Sequence, residues 1–380
     1  MTSNTKIVIL YRVIQEWRRP VFERLAQAEG IDLSLLHGPD FEGSKVVSTK
    51  KKVNFNAKKL FSFKLRKPSK NGLIAMPISP FLFFTLIWKN PNVVITEGAS
   101  NLFNALIGFI YCKIFGKKFI WWSLGKLNGT EHTGFRKKVD TLIQYLERNA
   151  DTVISYSTLG RKYFESVGVK PENIFVAVNV VDTATKLEEL ESSSIAKPTK
   201  PNDIFTVLSV GALTQLKKID LLIQSFASLE EKAKNVKLII VGDGPERHSL
   251  ENLAEKLQIK SIEFTGKVFE GVSRYFLNAD VFVLPGLGGL AVSEAMLYGL
   301  PVIASIGDGC EKDLISHQTD GIIDEDLNEQ SLTKYLYELN TNPEKLAKMK
   351  AGAKRKIEEK YNIHTYIDKV LKAIHHAQIN

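Results

Sequence analysis

Residues Val281–Ser305, VFVLPGLGGLAVSEAMLYGLPVIAS, decide the fold. The apolar run VFVL ends at Pro285. Glycines follow at 286, 288 and 289, then a helical segment carrying one acid, Glu294, and Pro301 opens a second apolar run. The reading is strand, glycine-rich loop, helix, strand. A glycine-rich turn that opens a helix presents backbone N–H groups and the positive end of the helix dipole. An anion such as a diphosphate fits there. Glu294 falls about one turn beyond the loop, where its carboxylate can accept hydrogen bonds from sugar hydroxyls.

The same rhythm runs in both directions from this stretch. Lys6–Leu10, Ile31–Leu36, Pro91–Thr96, Lys118–Trp122, Thr152–Ser155 and Ile174–Val178 read as strands, with helices over Pro20–Glu29, Leu102–Phe115, Phe135–Asn149 and Ser157–Val167. Beyond a polar stretch with two prolines, strands recur at Phe205–Val210, Lys237–Val241 and Ser261–Thr265, with helices at Ile219–Leu229 and Pro245–Leu257. Alternating strand and helix implies α/β architecture with parallel sheets. A length of 380 residues suggests two domains. We expect a first domain over 1–182, completed by a C-terminal helix over 363–380. A linker over 183–202, without apolar periodicity, then leads to a second domain over 203–362.

Composition, 44% hydrophobic and 24% charged, argues against disorder and against a polytopic membrane protein. The longest apolar runs, Phe81–Trp88 and Ala105–Cys112, fall far short of the roughly 20 residues of a spanning helix. The start, MTSNTKIVIL, lacks the apolar core of a signal peptide. Cys112 and Cys310 have no metal-type spacing and read as buried reduced thiols of a cytoplasmic protein. The net charge of +9 is uneven: residues 1–182 hold 27 Lys/Arg and 14 Asp/Glu, the remainder 24 and 28. Much of the excess lies in Lys45–Lys70, where basic residues alternate with Val53, Phe55, Leu60, Phe61, Phe63 and Leu65. That pattern reads either as a solvated surface hairpin or as a basic, aromatic surface for an anionic membrane leaflet or a lipid-diphosphate acceptor. Nothing in it matches a nucleic-acid recognition signature.

Gly289-Leu290, the Glu294-Ala-Met helix and Gly299-Leu-Pro-Val-Ile, in that order, resemble the nucleotide-sugar-dependent glycosyltransferases of family 4, which have two Rossmann-like domains facing a central cleft (the GT-B fold). The resemblance implies that Glu294 accepts hydrogen bonds from the donor ribose. It also implies that backbone N–H groups of the Gly286, Gly288 and Gly289 loop, near Leu290 and Ala291, meet the donor phosphates. The loop Val210–Ile223 resembles the family's loop after the first strand of the donor domain. Gly211 opens it, and Lys217 stands where the family's lysine neutralises the leaving diphosphate. VGDGPE, with Gly242, and TGKV, with Lys267 and Val268, resemble two further donor-side turns. The chain also departs from the pattern. The family's first glutamate, eight positions before the second, is Gly286 here; its arginine is Ala212, and the glycine after its lysine is Lys218. The donor sugar is then expected to be held by the Pro285–Gly289 backbone, with Lys217 and Lys218 carrying the charge.

In the first half the resemblance is weaker. Arg18 and Arg19 are candidate anion contacts on the acceptor side, and Glu97 and His132 are candidates for sugar contact or acid–base work. The implied activity is retaining transfer of a sugar from a UDP- or GDP-linked donor to a glycan or lipid-linked acceptor. It would serve polysaccharide or glycoconjugate synthesis, needing no metal and no cofactor. Two alternatives stay open: a nucleotide-sugar epimerase on the same fold, and a non-catalytic nucleotide-binding GT-B protein. A dinucleotide-dependent oxidoreductase is disfavoured, because no GxGxxG follows the first strand.

Overall fold

The computed structural model describes residues 4–40, 47–69, 72–126, 135–192 and 204–379. The chain divides between Ala177 and Val178 and again between Ile363 and His364. The first unit holds β1 (Thr5–Tyr11), β2 (Ile31–His37), β3 (Asn56–Lys59), β4 (Phe63–Ser69), β5 (Gly72–Ile78), β6 (Val93–Glu97), β7 (Lys118–Ser123), β8 (Thr152–Ser155) and β9 (Ile174–Val176). Seven of these form a parallel sheet in the order β3-β2-β1-β6-β7-β8-β9, while β4 and β5 pair as an antiparallel hairpin. The basic stretch is therefore divided, its first part lying on the sheet edge and its second on the hairpin.

The second unit holds β10 (Phe205–Val210), β11 (Val236–Val241), β12 (Ile262–Gly266), β13 (Val281–Leu284), β14 (Val302–Ala304) and β15 (Gly321–Ile323). They form a parallel sheet in the order β12-β11-β10-β13-β14-β15. All four side chains of β13 are buried, as an unbroken apolar strand requires when helices cover both faces of its sheet. The helix Ile219–Lys232 lays Leu222, Ile223, Phe226 and Leu229 into the core beneath β10, β11 and β13. Each such fully buried side chain contributes about 1.5–3 kcal/mol. In both sheets the strand order reverses beside the first strand, at β1/β6 and at β10/β13. The loops leave in opposite directions there and open a crevice at the carboxyl ends of the strands.

Two expectations need correction. The stretch from Thr183, expected to be an irregular connection, begins with a helix over Thr183–Ser192 that belongs to the second unit. The Asp182 carboxylate accepts from the N–H of Thr185 at 3.4 Å, an N-cap interaction, and LEELE supplies the helix propensity. The boundary consequently moves back from 182 to 177. The rest of the expected linker lies outside the described residues. The C-terminal helix Ile363–Ile379 belongs to the first unit from its second residue onward. There Tyr366 accepts a 2.5 Å hydrogen bond from the Arg18 guanidinium, and Gln378 donates to Thr5 at 2.9 Å. Cys112 and Cys310 are buried and form no disulfide.

Candidate donor site

The loops at the β10/β13 switch point interlock through their backbones. The N–H of Leu287 donates to the carbonyl of Leu216 at 2.7 Å, so the glycine loop after β13 is pinned to the loop after β10. A Cβ on Gly286 would stand 2.2 Å from the Leu216 carbonyl oxygen and 2.7 Å from the Lys217 carbonyl carbon. With the loops this close, a side chain at 286 does not fit unless they move apart. Gly242 has the same kind of constraint. Its φ is 146°, and a Cβ there would stand 1.9 Å from the Gly211 carbonyl oxygen. The VGDGPE turn is locked onto the loop after β10 by Leu213 N–H to Asp243 O at 3.0 Å and Glu246 N–H to Leu213 O at 3.1 Å. Those bonds brace the loop after β10.

Lys217 ends a short 3-10 turn, and its ammonium lies among the glycines. It donates to the Gly288 carbonyl at 2.8 Å and stands 3.9 Å from where a Gly211 Cβ would be and 3.7 Å from where a Gly289 Cβ would be. Those are ordinary contact distances; what favours glycine at both positions is the backbone, with φ 148° at Gly211 and 155° at Gly289. Burial lowers the Lys217 pKa, while the nearby Asp308 and Glu311 carboxylates oppose that shift. Lys218, exposed, takes the left-handed conformation at φ 51° and forms the N-cap of the next helix. This is the position where the resembling family has glycine.

Glu294 lies one turn into the helix Ala291–Leu297, its N–H bonded to the Leu290 carbonyl at 3.0 Å. Its carboxylate accepts a 2.5 Å hydrogen bond from Lys186, on the helix Thr183–Ser192. Lys267 and Val268 follow β12, tied to the site by the bond from Gly242 N–H to Gly266 O at 3.0 Å. Lys267 is exposed and lies over the Phe269 ring at 4.7 Å.

Sequence reasoning missed three groups, Lys186, Asp308 and Glu311. Glu311 is buried in the first turn of the short helix Cys310–Leu314 after β14, where its carboxylate accepts from the Gly309 N–H at 2.9 Å. A Cβ on Gly288 would meet it at 1.9 Å. Burial, reinforced by the Asp308 carboxylate, pushes its pKa up to about 7. The signal was positional: acids just past β14 lie at the same end of the sheet as the glycine loop after β13. Among the described residues, no three His, Cys, Asp or Glu side chains converge as a metal site.

On the first sheet, the described acceptor-side candidates, Arg18, Arg19 and Glu97, are each engaged by their own neighbours. Arg18 is fully buried, its guanidinium lying 4.5–5.8 Å from the rings of Trp17, Trp122, Tyr156 and Tyr366. Arg19 is held by Glu23 at 2.7 Å and Glu16 at 3.3 Å. Of the two expected anion contacts, one arginine is thus enclosed in an aromatic cage and the other is ion-paired. Glu97 ends β6, half-buried, and accepts from the Arg12 N–H at 2.7 Å; burial raises its pKa. His132 lies outside the described residues.

A sequence profile described as Glycosyl transferases group 1 matches residues 191–356. An uncharacterized glycosyltransferase of Haemophilus influenzae is 31% identical over 284 residues, 73% of this chain and 74% of that protein. The alpha-monoglucosyldiacylglycerol synthase of Streptococcus pneumoniae is 27% identical over 230 residues; the match covers 53% of this chain and 52% of that one. Among solved structures, Anabaena Alr3699/HepE in complex with UDP superposes with a TM-score of 0.72 at 16% identity, over 98% of this chain and 100% of that one. That likeness gives the fold, two parallel-sheet α/β domains of the GT-B class. With the profile, the shared identity and the fold in agreement, this chain belongs to the glycosyl transferases group 1.

Proposed function

We propose that this protein transfers a sugar, with retention of configuration, from a UDP- or GDP-linked donor to a glycan or lipid-linked acceptor at the cytoplasmic face of a membrane. The observation that carries the reading is the Lys217 ammonium seated among Gly211, Gly288 and Gly289 at the β10/β13 switch point. A lysine there meets the leaving diphosphate, and the charge-assisted contact contributes about 1.5–3 kcal/mol. The bond from the anomeric carbon to the phosphate oxygen breaks, and the acceptor oxygen bonds to that carbon on the same face. The departing phosphate oxygen takes the acceptor's proton. Lys217, Lys218 and loop N–H groups stabilise the developing charge in place of a metal ion, so transfer continues in EDTA. The backbone of Pro285–Gly289 holds the donor sugar, and Glu294 holds the ribose, with Lys186 yielding or sharing the carboxylate. The named diacylglycerol-glucosylating relative supports a lipid-linked acceptor.

Calorimetry with UDP, GDP and ADP tests the donor site. One nucleotide is expected to bind at micromolar strength, weakened about tenfold or more by Glu294→Ala and by Lys217→Ala. Absence of binding to all three would sink the reading. Glycine at 286 and alanine at 212 favour a second reading, a nucleotide-binding protein without transfer. Product formation from donor and acceptor separates the two.

A further inference from the structure

Of the seventeen large hydrophobic side chains exposed among the described residues, nine fall between Phe61 and Phe115. Trp88 is 78% exposed, Phe84 68% and Phe61 63%, with Phe81, Ile87 and Ile114 also in the open. They form one surface of the first unit. Phe61 meets Phe63 at 5.3 Å and Phe81 at 6.3 Å between ring centroids. Phe83 meets Phe84 at 6.2 Å on its own helix, Leu82–Lys89, and Phe115 at 6.3 Å on the helix Leu102–Phe115. Both helices are apolar around most of their circumference. Such helices are buried in a core or face an apolar partner. Here the inner faces enter the core through Leu82, Leu86, Leu102 and Phe109, and among the described residues the outer faces stay largely exposed.

Charge identifies the partner. From Gly43 to Thr130 the sequence holds fifteen Lys/Arg and a single acid, Glu97, already engaged by the Arg12 N–H. Lys58 and Lys89 lie over the Trp88 ring at 5.9 and 5.8 Å, and Lys113 lies over Phe109 at 5.2 Å. A second copy of the chain docking by two-fold symmetry would face these lysines with the same lysines, and the exposed Asp32 beside Trp88 and Lys89 offsets only one of them. An anionic bilayer offers both an apolar interior and phosphates. Aromatic side chains prefer the membrane–water boundary, and basic residues beside them gain from the surface potential. We propose that this face docks on an anionic lipid bilayer. Phe84, Ile87 and Trp88 enter the headgroup–acyl boundary, and Lys58, Lys59 and Lys113 meet lipid phosphates. The inference rests on the membrane-face reading proposed above and gives it a location.

The test is sedimentation of the full chain with phosphatidylglycerol–phosphatidylcholine vesicles and with phosphatidylcholine alone. Wild type is expected to bind the anionic vesicles only. Phe84→Ser with Trp88→Ser weakens that binding about tenfold or more, given the apolar area withdrawn. Changing Lys58, Lys59 and Lys113 together to Gln removes the preference for phosphatidylglycerol. Trp88→Phe binds as wild type but loses tryptophan quenching by brominated lipid, a readout that only insertion moves. Nucleotide affinity stays at the wild-type value in all three variants. If wild type binds vesicles and the serine variant binds equally well, the location is wrong and the membrane reading stands. If wild type binds nucleotide but no vesicles, the membrane reading and the surface fall together while sugar transfer survives. If light scattering finds a dimer that the serine variant splits, and vesicles are not bound, the face is a self-association surface and the proposal is overturned.

Discussion

The β1/β6 switch point of the first sheet and the β10/β13 switch point of the second come from one strand order, and each has a basic residue in the loop after its first strand. At the first, Arg18 is buried among four aromatic rings and donates to Tyr366. At the second, Lys217 remains partly open, among glycines that place no side chain over its ammonium. Topology makes a crevice in both sheets, and the loop residues decide whether it is filled. Bulky rings turn one cation into core, and glycines leave the other uncovered. Four predictions test that contrast.

The largest effect belongs to Gly286→Glu, which restores the family carboxylate on paper. With the Leu216 carbonyl 2.2 Å from the new Cβ, the loops must separate. We expect a loss of about 3 kcal/mol of stability and of measurable nucleotide binding. Denaturant unfolding and calorimetry check this. A variant with wild-type stability and better donor binding would show that the loop yields easily and that the glycine is incidental.

Next comes the pair Arg18→Ala and Lys217→Ala, which should exchange phenotypes. Arg18→Ala empties an aromatic cage and removes a buried hydrogen bond, costing about 3 kcal/mol. Nucleotide affinity in folded protein should not change. Lys217→Ala removes a cation whose burial already lowers its pKa, so the melting temperature should move little. Nucleotide affinity should fall by about 2 kcal/mol, or roughly thirtyfold. If Arg18→Ala weakens nucleotide binding while leaving stability intact, the contrast between structural and functional cation fails.

Most of the contrast was legible in the sequence, and the illegible part has physical causes. Glycines at 286, 288 and 289, the lysine at 217 and the acid at 294 are local, and strand–loop–helix order places them at one end of a sheet. Burial is not local. Arg18 and Arg19 look alike in YRVIQEWRRP, yet one is sealed by Tyr156 and Tyr366, 138 and 348 positions away along the chain. Lys186 reaches Glu294 because Asp182 caps a helix in a stretch whose polarity suggested none. Glu311 acquires its environment from Gly288, a contact made only after β13 and β14 pair.

Titration offers a third way to sharpen the comparison, because each unit buries one carboxyl whose pKa is raised to about 7. Glu147 accepts from the Tyr163 hydroxyl at 3.0 Å in the first unit, and Glu311 lies beside Gly288 in the second. Between the ordinary carboxylate value and about 7 the folded state holds a proton that the unfolded chain has released. Stability therefore falls as pH rises through that window. Glu147→Gln and Glu311→Gln should each flatten the decline by on the order of 1–2 kcal/mol. They should differ in one respect. Above about pH 7 the ionised Glu311 repels a diphosphate at Lys217, so the pH dependence of nucleotide affinity should change in Glu311→Gln and not in Glu147→Gln. Calorimetry at pH 6 and pH 8 decides between them.

The smallest effect is expected at Lys218. Its φ of 51° is a conformation that costs an L-residue about 1 kcal/mol and glycine almost nothing. Lys218→Gly relieves that cost but also gives the unfolded chain more freedom, so the net gain should be about 0.5 kcal/mol. A lysine kept where glycine is more stable needs a compensating contribution from its side chain, and the candidate is charge beside the diphosphate. Lys218→Gly should therefore melt slightly higher while binding nucleotide about threefold more weakly, the modest loss expected for an exposed cation in water. Thermal unfolding and calorimetry on one preparation measure both quantities. A higher melting temperature with unchanged affinity would remove Lys218 from the donor site and leave Lys217 as the sole loop cation there, making the site more dependent on one residue than the sequence alone suggests.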